Sequence, residues 1–203
     1  MGVKTSLPSI TSGVANVIYG DLATGSALTS GSTNTIIGSA SAISLTTGGS
    51  NVIIGSTVLS SATNLNESVV IGNGSLTSYT SAASSRNTVV GFGAATGLLT
   101  GTTNTILGYG SGSALAGAES GNILIGSAGA LGVSNSIRIG TTQTTTFIEG
   151  IEGVTVAISA PIAVNSLNQI SSLGLGSSSE VLTSNGAGAS PTWQAAAASS
   201  MLN

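Results

Sequence analysis

The chain of 203 residues contains no cysteine and no histidine, and only 3 basic and 6 acidic residues carry its charge. Without Cys or His it cannot form a zinc site of the common kinds, nor a Ser-His-Asp or Cys-His catalytic arrangement. Three basic residues cannot neutralise a useful length of phosphate backbone, which argues against nucleic-acid binding. We therefore expect no enzyme, no cofactor and no metal site.

Long apolar segments are also missing. Although 40% of the residues are hydrophobic, they occur in groups of three or four, far short of the ~18 that a membrane helix needs. The recurring Val and Ile residues argue against disorder. The first residues, Met1–Pro8, lack the apolar segment of a secretory signal. We expect a chain that either avoids that export route or is a fragment, with no membrane insertion.

What the chain does have is a repeat of about eighteen residues. A five-residue packet that ends in glycine occurs eight times, and the closing glycines are 18, 17, 17, 19, 17, 18 and 14 residues apart. The packets are Asn16–Gly20, Asn34–Gly38, Asn51–Gly55, Ser68–Gly72, Asn87–Gly91, Asn104–Gly108, Asn122–Gly126 and Ser136–Gly140. β-Branched residues before a glycine predict a strand followed by a turn. The segments between packets, which we call returns, are rich in Ala, Ser, Leu and Thr and predict a second short strand.

Each repeat therefore predicts one coil of about 17–18 residues in an all-β solenoid or β-roll, with parallel pairing between neighbouring coils. We expect an N-terminal cap or attachment segment at 1–15 and a shaft of eight coils at 16–140. A non-repeat β transition region follows at 141–170. Residues 171–203 are predicted to form a Gly/Ser connector and a C-terminal hairpin module with a tail.

Asparagine opens six of the eight packets, and two interpretations are open. The side chains could form a ladder along the solenoid axis, or the residue could serve as a turn former that tolerates the left-handed backbone region. We favour the turn interpretation. Neither interpretation makes these residues catalytic.

The two positions before each closing glycine are aliphatic almost throughout. Because successive strand residues point to opposite faces, both faces of the sheet require burial, and another copy of the chain is the simplest cover. This predicts a closed oligomer, and the pattern does not choose between two, three or more chains. The residues expected at the axis or between chains are Ile36, Ile53, Val70, Val89, Ile106, Leu124, Arg138 and Trp193.

Few side chains are candidates for chemistry. Glu149 and Glu152 form the one close carboxylate pair and are the only candidates for polysaccharide cleavage, although exposed turns that pair with Arg138 explain them better. The aromatic residues could stack on sugars, but we expect them to fill corners between chains: Tyr19, Tyr79, Phe92 and Tyr109. We expect outward-facing loops at Glu67, Arg86 and Glu119.

Three features of the chain resemble known fibre proteins. The packets with their returns resemble repeats of phage and virus tail fibres and the head repeats of trimeric autotransporter adhesins. The segment Ser136–Val156 resembles the region that follows such repeats in tail-fibre-like proteins. The segment Val181–Gln194 resembles a short module scattered through fibre proteins.

The resemblance implies a homotrimeric shaft that attaches to a host or surface, located on a virion or on the outside of a cell. Its partners would be further copies of itself, with end-to-end filaments as one outcome, and an unknown receptor or glycan. Nothing after Trp193 resembles the chaperone domain or the membrane anchor of such relatives. The alternatives are a bacterial adhesin head, a self-assembling filament subunit and a monomeric ice-binding solenoid, which would require a regular Thr ladder.

Overall fold

The computed structural model describes residues 10–21, 24–80, 84–143, 162–164, 170–172, 177, 179–186, 189 and 191–196, and these contain strands but no helix. Eight three-residue strands, one from each packet, form a single parallel sheet in chain order. They are β1 Val17–Tyr19, β2 Thr35–Ile37, β3 Val52–Ile54, β4 Val69–Ile71, β5 Thr88–Val90, β6 Thr105–Leu107, β7 Ile123–Ile125 and β8 Ile137–Ile139. The predicted β-solenoid is thereby confirmed, with about 7 turns.

The register places equivalent packet positions directly above one another, so that Ile36 pairs with Ile53 and Val89 with Ile106. The middle residue of each strand points into the coil. Six of these middle residues are completely buried within the single chain: Ile36, Ile53, Val70, Val89, Ile106 and Leu124. The predicted position of these six residues between chains is wrong, because they form one wall of the chain's own core. The first and third strand residues face outward instead.

The returns complete the core without forming a second strand. In their first part a column of residues adopts the left-handed region, for example Ala42 at φ 50°, Leu59 at φ 51° and Ala95 at φ 53°. This conformation interrupts the extended backbone, yet the coils remain bonded, since the Ala42 N–H donates to the Val58 carbonyl at 2.9 Å. The prediction of a second strand in each return is therefore wrong, although the return does contain a turn. The side chains that pack against the strands are Leu28, Leu45, Tyr79, Leu98 and Leu115.

The asparagine column forms a ladder, so the favoured turn interpretation is wrong. Asn51 is buried, and its Nδ2 donates to Asn34 Oδ1 at 2.8 Å and to the Leu65 carbonyl at 2.6 Å. Its Oδ1 accepts the Ser68 backbone N–H at 3.0 Å. The residue that adopts the left-handed region is the one before the packet, as at Thr33. The ladder satisfies buried backbone groups and keeps the packets in register.

The closing glycines bring the backbones of neighbouring coils into direct contact. Gly72 has φ 135°, and a Cβ at this position would lie 2.2 Å from the carbonyl oxygen of Gly91. Gly91 stands in the same relation to Gly108, again at 2.2 Å. Any side chain at these two positions would push two coils apart, which explains the glycine there. The same reason does not hold at Gly126, where a Cβ would meet nothing within 4 Å.

A second unit, Thr146–Asn203, is separate by its internal contacts. Within it, β9 Ile162–Val164 pairs antiparallel with β10 Ile170–Ser172, and β11 Glu180–Thr183 pairs antiparallel with β12 Thr192–Ala195. The segments predicted as 1–15 and 141–170 fall largely outside the described residues.

Substituting the closing glycine should separate steric from conformational effects. We expect Gly72→Ala to lower the free energy of unfolding by about 3 kcal/mol or more, because the methyl group collides with the next coil. Gly74→Ala is the matched control, since its φ is also positive, at 64°, but a Cβ there meets nothing within 4 Å. The control should lose about 1 kcal/mol. Urea denaturation followed by circular dichroism measures both, and equal losses would contradict the steric explanation.

Candidate interaction surface

The outer face of the sheet consists of two rows of side chains, contributed by the first and third residues of β1–β8. Of these sixteen residues twelve are aliphatic and none is charged. The first row is Val17, Thr35, Val52, Val69, Thr88, Thr105, Ile123 and Ile137. The third-residue row is Tyr19, Ile37, Ile54, Ile71, Val90, Leu107, Ile125 and Ile139. At a spacing of ~4.8 Å per strand the face extends over about 34 Å.

This face is open to solvent in the single chain. Tyr19 is 56% exposed, Leu107 46% and Ile125 39%, whereas the middle strands are half-buried by their neighbours above and below. Parallel sheets occur almost only with both faces covered. The chain covers one face with its own returns and leaves the other face without cover from the described residues.

Two aromatic rings lie next to this face, just beyond the closing glycines. Phe92 and Tyr109 stack with their ring centroids 5.5 Å apart and their planes within 9°. Both are exposed, Tyr109 by 83%. Tyr79 differs from them, because it is fully buried in the chain's own core. A role between chains is thus wrong for Tyr79 and remains a prediction for the other aromatic residues.

No charged residue that the structure describes in the first unit occupies the first or third position of β1–β8. Glu67 and Arg86 follow each other in the column before the packets, and Arg86 Nε lies 2.8 Å from Glu67 Oε2. Both side chains are more than half exposed, which confirms the predicted outward position. Such an exposed pair contributes at most about 1 kcal/mol to stability.

Glu119 corrects the prediction that all loop charges face outward, since only 4% of it is exposed. Its Oε2 accepts the Gly117 N–H and its Oε1 accepts the Gly132 N–H, both at 2.9 Å. Burial alone raises the pKa of this carboxyl, but the backbone N–H groups around it outweigh burial and lower the pKa below its ordinary value. Glu119 thereby ties the return before β7 to the shortened coil before β8.

The remaining predicted residues are not brought together by the described structure. Arg138 lies on β8 and is exposed, whereas Glu149 and Glu152 lie outside the described residues, so their pairing and their proposed chemistry stay predictions. Trp193 lies on β12 opposite Leu182 and is half-buried. Its Nε1 is buried without a hydrogen-bond partner among the described residues.

A regular threonine column escaped the sequence analysis because it lies in the returns. Its members are Thr11, Thr29, Thr46, Thr63 and Thr80 on five consecutive coils. Thr29 Oγ1 donates to the Thr46 carbonyl at 3.1 Å, and Thr46 Oγ1 donates to the Thr63 carbonyl at 2.9 Å. The spacing of 18, 17, 17 and 17 residues is the sequence signal of this column.

A shallow groove of about 300 Å³ runs beside this column and is lined by uncharged groups, including Ser30, Thr47 and Asn64. The described part of the chain contains no cluster of residues that could hold a metal ion. Nor does that part contain a helix long and apolar enough to cross a membrane. Comparisons with family models, curated proteins and solved structures found no match for the chain. The outer face is therefore the feature from which a function must be argued.

Stability should depend on the ionised Glu119 side chain. Because its pKa is lowered in the folded state, this carboxylate stabilises the fold above its unfolded pKa of about 4.3, and the contribution is lost as the pH falls through the folded pKa. We expect Glu119→Gln to cost roughly 1–2 kcal/mol at pH 7 and much less at acidic pH. Urea denaturation across pH measures the difference from the unchanged chain.

The matched control is Glu67→Gln, whose exposed carboxylate should change the free energy of unfolding by less than about 0.5 kcal/mol at pH 7. A pH-independent difference for Glu119→Gln would show that the charge plays no part.

Proposed function

We propose that this chain is a non-catalytic structural protein whose solenoid associates side by side with further copies, forming the shaft of a homotrimeric attachment fibre on a virion or cell surface. The observation that carries the proposal is the uncharged aliphatic outer face of the parallel sheet. The proposal assigns that face to contacts between copies.

Another copy suits this face because the face has no charge to complement a different partner. Its side chains repeat every ~4.8 Å along one direction, and an identical chain carries the same repeat. Two copies in the same orientation can therefore interlock side chain for side chain along the whole length. Burying what is still exposed of each aliphatic side chain contributes on the order of 1 kcal/mol.

Closed rotational symmetry allows every copy to cover its outer face at once. The number three and the attachment role are supported by the resemblance of the packets to tail-fibre and adhesin repeats. The absence of His and Cys and the small number of charged residues support a structural rather than a catalytic role.

The association can be tested by placing polar groups in the outer face. We expect light scattering after size exclusion to give a fixed multiple of the 19.4 kDa chain, three for the proposed trimer. The variant Ile54→Asn/Ile71→Asn should dissociate, because each copy would bury two amide groups without partners. Thr47→Asn/Thr57→Asn is the control, since both threonines are exposed and neither belongs to β1–β8.

A monomeric unchanged chain, confirmed as folded by circular dichroism, would overturn the proposal. So would a control variant that dissociates as readily as the outer-face variant. The proposal is supported if the outer-face variant dissociates and the control variant stays associated.

A second candidate function, ice binding by a monomeric solenoid, is favoured by the threonine column. Five hydroxyl groups at equal intervals could order water along the column. If this candidate is correct, micromolar protein should shape ice crystals and show thermal hysteresis. Thr46→Lys/Thr63→Lys should abolish the effect, whereas Ile54→Asn/Ile71→Asn should retain it. An unchanged chain without thermal hysteresis excludes this candidate and leaves the fibre proposal untouched.

A further inference from the structure

The last coil that the structure describes, which carries β8, differs from the interior coils in its inward column. Arg138 pairs in register with Leu124, a residue that is completely buried. The equivalent residue of every earlier strand is Ile, Val or Leu. Arg138 itself is exposed, because no further packet is stacked on β8 among the described residues. A charged group thus occupies the position that the next coil would bury.

Without the charge at Arg138, the backbone at β8 of one copy could pair with the backbone at β1 of the next copy and continue the solenoid. Inside the sheet, the first strand residue donates its N–H to the packet that follows, as Thr35 does to the Asn51 carbonyl at 2.8 Å. Ile137 makes no such bond to a described residue. The Asn16 carbonyl occupies the corresponding acceptor position at the β1 end. A second copy placed with β1 against β8 would join these groups in the register of the interior coils.

The ladder is also compatible with this stacking. Ser136 ends the asparagine column, and its Oγ donates to Asn122 Oδ1 at 2.8 Å. Ser68 occupies the same column inside the sheet, where its Oγ accepts the Asn87 backbone N–H at 3.0 Å. Ser136 can therefore accept the backbone N–H of Asn16 from a second copy. Neither the strand edge nor the ladder opposes head-to-tail stacking.

Arg138 does oppose it. A β1 strand placed on β8 would bring Ile18 over Arg138 and enclose the guanidinium group between Ile18 and Leu124. Glu119, the buried carboxylate of the preceding coil, already accepts bonds from Gly117 and Gly132. Enclosing the guanidinium group is strongly unfavourable, because even a carboxylate partner such as Glu149 or Glu152 need not compensate for its desolvation. Inward-pointing charges are a known protection of sheet edges.

We propose that Arg138 is an end stop that prevents copies of the solenoid from stacking head to tail. The proposal concerns the ends of the solenoid, whereas the proposed fibre association concerns its outer face. Lateral association has a fixed stoichiometry, while head-to-tail stacking is open-ended and grows with concentration. The two can therefore fail independently.

The test replaces Arg138 in the full chain. Arg138→Ile restores the residue type of the interior coils and should produce particles whose mass, measured by light scattering, rises at least several-fold with protein concentration. Electron microscopy should show these as rods of uniform width and variable length. Arg138→Lys keeps the charge and should keep the mass and length of the unchanged chain.

A second variant separates ordered stacking from general aggregation. Ile18→Arg added to Arg138→Ile places the charge on the opposing strand and should return the particles to their original mass. The proposal is overturned if Arg138→Ile leaves the mass unchanged. It is equally overturned if the mass rises but the added Ile18→Arg does not reverse the increase, since the association would then not involve this pair of ends.

Discussion

The close contact between glycine backbones at the ends of the interior packets is the constraint on which the rest of the structure depends. Because Gly72 and Gly91 carry no Cβ, consecutive coils approach at this corner to a distance that no side chain would permit. The buried asparagine ladder then aligns each packet with the next. The glycine contacts and the ladder together hold the three-residue strands in one register. In ordinary sheets, the greater length of the strands fixes the register.

Once the register is set, the alternation of strand side chains determines the two surfaces. The middle residues, such as Ile53, are buried in the core, and the flanking residues, such as Ile54, form uncharged rows on the outer face. The sides of the sheet present uncharged aliphatic rows, which we propose to be covered by another copy. The end at β8 presents Arg138 in the inward column, which we propose to oppose stacking there.

The solenoid could be predicted because a β-branched group followed by glycine indicates a strand and a turn. Its recurrence about every eighteen residues indicates one coil per repeat. The sequence does not distinguish the column that is buried in the core from the column on the outer face, since Ile36 and Ile37 are the same residue. The prediction that the middle column lies between chains is therefore wrong. Asparagine suits both a turn and a ladder, so composition alone could not decide. The burial of Glu119 depends on the Gly132 N–H in the next coil, a contact that no local pattern reveals.

Crosslinking through an introduced thiol tests the central claim, that the outer face is covered by another copy. The chain contains no cysteine, so a single Ile71→Cys gives one defined site in the middle of the outer face. We expect a short bis-maleimide at low protein concentration to convert this variant efficiently to a covalent dimer band on a denaturing gel. Thr47→Cys, exposed on a return, should remain uncrosslinked. Crosslinking at Thr47→Cys with none at Ile71→Cys would contradict the account.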